Sequence, residues 1–342
     1  MMLVDVYTRY GYSHDRARRT GHGSHEPAPL PAHRYRSPVH HMALLCSYHA
    51  SELEQLWTST PQHNRICRTG ANQSADVLQG WLDYADNVAP QPPRSTGQHR
   101  AMSYFRCVGK EEYIEPLTGW ARHPYADICY PKWRGPHFAH LNDTRYLVPS
   151  SAGGPRQPSR GARAILFDVG CSGPNSLSGQ PPSVPFFFSL YERHGIMFDR
   201  IYAWELLEQD PKVWWRGLSQ RMRAITTFFN VGVQPEPAAN DSATVLGLLR
   251  EVARPEDFVV LKLDIDHLQT ETSILRGLEE DTRLLQLVDE LYFEAMWAWG
   301  SNERHTLMEK LWGPMRGGQT VDWSLKLMLR LRERGVRAHF WT

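Results

Sequence analysis

Cysteine is scarce in this 342-residue chain, with only Cys46, Cys67, Cys107, Cys129 and Cys171. An odd number, widely spaced and without a C-x-x-C pair, excludes a zinc ribbon and argues against a fully paired disulfide framework. One or two bridges in the N-terminal half stay open for a protein of a luminal compartment. Net charge is nearly absent as well. With 38 Lys and Arg against 37 Asp and Glu the formal charge is +1, so there is no electrostatic footprint for a nucleic acid or another polyanion. No apolar run is long enough to cross a bilayer. Met1 to Tyr7 has neither the basic start nor the apolar core of a signal peptide. The expectation is a soluble protein without a membrane span, cytoplasmic if this start is complete and otherwise of the Golgi or secretory lumen. No internal repeat is evident.

Apolar residues are plentiful: 41% of the chain is hydrophobic, including 12 Trp, which suits one large α/β domain with an appendage. Residues 1–42 are rich in His, Pro, Arg, Ser and Gly and read as a disordered tail; the histidines between Gly21 and His41 fit a solvated tail better than a metal-binding tract. Residues 43–158 read as a helical and irregular, aromatic-rich lead-in. Leu53, Leu56 and Trp57, then Val77, Leu78, Trp81 and Leu82, have the spacing of two short amphipathic helices. Ala89–Gly97 is a linker-like break, and the Pro/Gly/Ser-rich segment Pro149–Pro158 marks the boundary to a domain over 159–342.

In that domain strand and helix signals alternate, the pattern of a doubly wound, mostly parallel sheet. Strands are expected at Ala164–Val169, Arg200–Trp204, Thr227–Val233, Phe258–Ile265 and Leu287–Phe293, with a last edge strand at Val336–Trp341. Helices are expected at Phe186–His194, Lys212–Arg223, Ala243–Ala253, Thr270–Glu279, Asn302–Leu311 and Asp322–Arg334.

The stretch Ala164-Ile-Leu-Phe-Asp-Val-Gly170 organises the rest. It reads as a buried strand closed by a glycine, whose missing Cβ would let backbone amides approach a ligand. Asp168, Glu205, Asp264 with Asp266, and Glu294 all stand at strand ends. In a parallel sheet those ends share one rim, where ligands of open α/β folds bind. Glu205, at the end of the second strand, can accept both hydroxyls of a ribose through its two oxygens. Asp264-Ile-Asp266 is also the D-x-D arrangement by which metal-dependent glycosyltransferases hold a divalent cation and a nucleotide diphosphate.

The region from Ala164 to about Glu294 resembles the FkbM-like branch of the class I S-adenosylmethionine-dependent methyltransferases. The segment Val260-Leu-Lys-Leu-Asp-Ile-Asp266, followed by Glu271, Ile274, Leu275 and Gly277, carries the likeness, supported by Asp168-Val-Gly170, Trp204-Glu205 and Asn230. The resemblance implies a Rossmann-like class I methyltransferase sandwich and methyl transfer, to oxygen, on a small-molecule or glycan acceptor. By the same resemblance Asp168, Gly170 and Gly173 would line the methionine part of S-adenosylmethionine. Glu205 would hold the ribose, Asn230 and Val231 would flank the adenine, and Asp264 would face the reacting centre. Asp264, Asp266 and His267 are the candidates to take a proton from a hydroxyl acceptor. No resident metal is expected in this reading. Two features depart from the pattern: Ser172 and Pro174 occupy loop positions where further glycines are usual, and Pro174 has no N–H to offer. Those departures are what a degenerate, non-catalytic binding module would show.

Overall fold

The structure, a computed structural model, describes residues 46–58, 102–107, 110–117, 144, 147–152, 154, 161–171, 173, 182–235, 244–294 and 321–341. The expected tail, the second lead-in helix, the helix at 302–311, Ser172 and Pro174 lie outside the described residues.

In chain order the elements are β1 (Cys46–His49), α1 (Glu52–Thr58), β2 (Ser103–Cys107), β3 (Lys110–Ile114), β4 (Ala164–Val169), α2 (Ser183–Arg193), β5 (Arg200–Trp204), α3 (Pro211–Arg216), α4 (Gln220–Ile225) and β6 (Thr226–Phe229). They continue with α5 (Val245–Val252), β7 (Phe258–Leu263), α6 (Leu268–Glu280), α7 (Thr282–Leu285), β8 (Glu290–Glu294), α8 (Val321–Glu333) and β9 (Arg337–Trp341). Six strands form one sheet in the order β6-β5-β4-β7-β8-β9, every pairing parallel. That is the 3-2-1-4-5-6 order of doubly wound nucleotide-binding folds.

The central strands β4 and β7 are buried at every position. Their near-continuous apolar runs follow from helices covering both faces. On one face Ile165, Phe167, Val169, Val259, Leu261 and Leu263 pack against α5, α6 and α8. On the other, Ala164, Leu166, Phe258 and Val260 pack against Val184, Phe187, Leu190 and Tyr191 of α2. The helix expected over Lys212–Arg223 is two. Asp210 caps α3 through the Lys212 amide, and Ser219 caps α4 through the Met222 amide, so a second N-cap restarts the helix. The fifth strand begins at Glu290, later than expected, because Leu287 and Val288 close turns onto Leu284 and Leu285.

The lead-in departs from the expectation of helix and irregular chain. Among the described residues α1 falls on the first expected helix, while β1, β2 and β3 form a three-stranded antiparallel sheet. Cys46 and Cys107 face each other in the β1–β2 register and are joined by a disulfide across 61 residues. β2 and β3 form a hairpin with two residues between them, but β1 pairs with β2 from more than fifty residues away, and all three strands are short.

The small sheet docks on the β9 edge through buried charge. Arg332, at the end of α8, donates to Glu54 Oε2 (3.0 Å), the Tyr48 hydroxyl (3.1 Å) and the Glu115 carbonyl (2.9 Å). It also donates to the carbonyl of Ala338 in β9 (2.7 and 2.9 Å), which blunts that edge strand. Arg337 reaches Glu290 Oε1 (3.1 Å) and the carbonyls of Tyr113 and Val148. His339 Nδ1 bonds Glu115 Oε1 at 2.5 Å, and its ring stacks on Tyr292. Ser150, at the start of the Pro149–Pro158 segment, is pinned to the main sheet, its amide donating to Glu290 Oε1 at 2.6 Å.

Candidate functional site

Strand order reverses between β4 and β7, and connections leaving in opposite directions open a crevice above their carboxyl ends. Asp168 of β4 and Lys262 of β7 are register partners, and both are buried. Lys262 Nζ lies 2.9 Å from Asp264 Oδ2 and 3.5 Å from Asp168 Oδ1, and donates to the Gly170 carbonyl at 2.5 Å. Ser183 Oγ, at the start of α2, donates to Asp168 Oδ2 at 2.5 Å. Asp168 is therefore seated beneath the rim as the counter-ion of Lys262. Burial pushes its carboxyl up, with Lys262 and Ser183 opposing the shift. For Lys262, desolvation acts against the charge, but Asp264 and Asp168 outweigh it and hold the ammonium above its ordinary range.

Gly170 has φ +87°, and a Cβ there would collide with the Asp264 carbonyl, so the close approach of the two strand ends demands glycine. Its amide and that of Cys171 both donate to the Trp204 carbonyl, at 3.1 and 2.7 Å. These amides tie β4 to β5 rather than facing a ligand.

At the rim, carboxylate oxygens of Asp264, Asp266 and Glu294 lie within 4.8 Å of one another. Asp264 Oδ2 also accepts the indole N–H of Trp341 at 3.0 Å. Burial would favour a protonated Asp264, yet Lys262 and the hydrogen bonds from its neighbours hold its pKa low. Glu294 takes the opposite course: burial, then the charges of Asp264 and Asp266, push its carboxyl well above the usual range. Asp266 is turned outward in left-handed backbone, φ +54°. Partial loss of water and then the proximity of Asp264 push its pKa up to about 6. His267 is the N-cap of α6: Nδ1 accepts the Thr270 amide at 3.4 Å and lies 2.7 Å from Thr270 Oγ1. Nε2 is the ring nitrogen that this cap leaves for chemistry.

The remaining candidates gather at the ends of β5 and β6. Glu205 Oε1 accepts the Leu207 amide at 2.7 Å, and Oε2 makes no hydrogen bond with the described residues. Burial raises the Glu205 pKa, the Leu207 amide opposing it. Asn230 staples this loop, donating to the carbonyls of Glu205 and Leu207 and accepting the Gln209 amide, each at 2.8 Å. A Cβ on Gly173 would meet the Gln209 side chain, so the first and second loops touch. Leu206, Leu207 and Val231 are the exposed large apolar side chains among the described residues. Glu205 thus presents a carboxylate oxygen with spare acceptor capacity beside exposed apolar surface. Nothing comparable is offered to a ligand carboxylate by Gly170 or Cys171.

The structure brings Asp264 and Asp266 together at one point and Glu205, Asn230 and Val231 at another; Asp168, expected to line a ligand at the rim, is instead fully buried against Lys262 and Ser183. Sequence reasoning missed the parts played by Lys262, Ser183 and Trp341. Lys262 left a signal, as the one charge in the buried run Phe258–Leu263; Trp341 left none. Comparison with protein-family models, with curated proteins and with solved structures finds no match.

Proposed function

We propose that the protein is an S-adenosylmethionine-dependent methyltransferase of the FkbM-like class I type, transferring a methyl group to an oxygen of a small-molecule or glycan acceptor. The observation that carries this reading is Glu205 at the end of the second strand of a 3-2-1-4-5-6 sheet. Its Oε2 is uncommitted, and Leu206 and Val231 lie exposed nearby. Glu205 would bind ribose hydroxyls, and the two apolar side chains would cover the faces of an adenine. The Asn230 staple would hold that loop in shape before ligand arrives. When bound, the cofactor supplies an electrophilic methyl group on a sulfonium; the chain's part is to align the acceptor and exclude water.

Among the rim acids, Asp266 is best matched to accept a proton from a hydroxyl, since its pKa of about 6 lies near neutrality and its side chain is exposed. Asp264, held ionised by Lys262, would orient the acceptor.

Calorimetric titration with S-adenosylmethionine and S-adenosylhomocysteine tests the reading. Micromolar binding is expected in the native chain and its loss in Glu205→Ala; no binding at millimolar ligand overturns it. The closeness of Asp264, Asp266 and Glu294 favours a second reading, a metal-dependent glycosyltransferase that holds a divalent cation on these oxygens. Manganese-dependent binding of a nucleoside diphosphate, with no response to S-adenosylhomocysteine, would select it. Failure of both ligands would leave a non-catalytic binding module.

A further inference from the structure

Strand β9 carries Arg337, His339 and Trp341 at alternate positions, so the three side chains share one face of the sheet. That face meets α2, where Trp341 packs on Phe186 and Phe187. The first two residues are gripped by the small sheet and its flanks. Arg337 donates to the carbonyls of Tyr113 (3.1 Å) and Val148 (2.5 Å), and its Nη1 lies 3.4 Å from Glu112 Oε2. His339 is held between Glu115 Oε1 at 2.5 Å and Glu290 Oε2 at 3.6 Å. The third residue reaches the rim, where its indole N–H lies on Asp264 Oδ2 at 3.0 Å. Arg332, bonded to both Glu54 and the Ala338 carbonyl, holds the same strand from its outer edge.

We propose that Trp341 is a positioning residue for Asp264, and that the N-terminal small sheet, through its grip on Arg337 and His339, sets where β9 presents that indole. Asp264 has two groups on Oδ2, Lys262 from below and Trp341 from the side. Together they fix the plane of the carboxylate and direct its other oxygen toward acceptor or neighbouring acid. A five-residue strand is short enough that a shift at Arg337 or His339 is carried to Trp341, because buried packing transmits displacement. The small sheet is then part of the working site although none of its residues reaches the rim. The functional importance of this linkage rests on the reading of Asp264 as the acid facing the reacting centre; the linkage itself does not.

The test uses the full chain labelled with nitrogen-15 at its tryptophan indoles. Trp341→Phe, which keeps an aromatic ring on Phe186 and Phe187, assigns the Trp341 signal by its disappearance. Asp264→Asn is expected to shift that signal. Glu112→Gln and His339→Gln, far from the rim, are expected to shift it too. Should His339→Gln fail to fold, Glu112→Gln keeps the test open, since neither oxygen of that carboxylate makes a hydrogen bond among the described residues. An unmoved signal in Asp264→Asn, or in the folded small-sheet variants, overturns the proposal. Addition of S-adenosylhomocysteine to the native chain should move the signal as well. If that ligand has no effect while Glu112→Gln does, the methyltransferase reading fails and the positioning role stands.

Discussion

Two clusters of cations and carboxylates in this molecule do opposite things. At the junction of the small sheet with β9, Arg332, Arg337 and His339 meet Glu54, Glu112, Glu115 and Glu290, all within the protein. Tyrosine hydroxyls supply further donors: Tyr48 to Glu54, and Tyr191 and Tyr292 to Glu290. At the rim, Lys262 is the one cation among the described residues facing Asp168, Asp264 and, beyond them, Asp266 and Glu294. The enclosed cluster comes close to neutrality, as burial requires. The rim holds an excess of acid, and loss of water, then the neighbouring carboxylates, raise Asp266 and Glu294 above their ordinary pKa values. Matched charge is where this protein is held together; unmatched charge is where a pKa is brought within reach of chemistry.

The largest effect should come from breaking the matched cluster. Arg332→Met leaves Glu54 and Glu115 buried beside an apolar side chain, and should cost about 3–5 kcal/mol in urea denaturation, the usual penalty for orphaning a buried partner. A loss below about 1 kcal/mol would mean that the cluster does not hold the small sheet in place. The equivalent change at the rim, Lys262→Met, should cost less, about 2 kcal/mol at neutral pH, because Asp168 already has a raised pKa and can take up a proton. That relief has a sign. An acid whose folded pKa is raised contributes stability below its unfolded pKa and loses it as pH rises through the folded one. The variant should therefore lose more stability between pH 5 and pH 8 than the parent does. Equal loss at both pH values would show that Asp168 stays ionised.

The smallest effect is a gain. Asp266 has its folded pKa raised to about 6, so it favours the native state below about pH 4 and gives that up as pH rises through about 6. Asp266→Asn should stabilise the protein above pH 6 by about 1 kcal/mol, a figure reduced for the exposure of the side chain, and leave stability at pH 4 unchanged. Asparagine also tolerates the left-handed backbone found there. Melting curves at pH 4 and 8 decide it, and destabilisation at pH 8 would show that the rim acids do not repel. The matched cluster titrates elsewhere: desolvation opposes the charge on His339, but Glu115 and Glu290 raise its pKa. Its contribution is full below the unfolded value of about 6.5 and is lost only as pH rises through a higher one.

Much of the main sheet was legible along the chain. Ala164–Val169 and Arg200–Trp204 are strands with the expected bounds, because a run closed by Gly170 and one ending at Glu205 carry their own limits. The acids at the strand ends were legible too, since parallel pairing puts all carboxyl ends on one side. The break at Ser219 was harder to see, as a cap and a helical interior differ by one hydrogen bond. The β1–β2 half of the small sheet was hidden, because its register joins Cys46 to Cys107 across a separation that no local period spans; the β2–β3 hairpin is local, but its strands have only five residues each.

By itself, then, the sequence determined the order along the chain of the strands in the main sheet and which acids end them, because hydrophobic period and turn residues act between near neighbours. Only the tertiary structure decided what those acids meet. Lys262 lies between Asp168 and Asp264 because parallel register sets β4 against β7. Trp341 reaches Asp264 from 77 residues away, and Arg337 meets the carbonyl of Tyr113 from 224. A buried charge is stabilised by whatever the fold brings beside it, and that is a property of packing rather than of the neighbouring sequence.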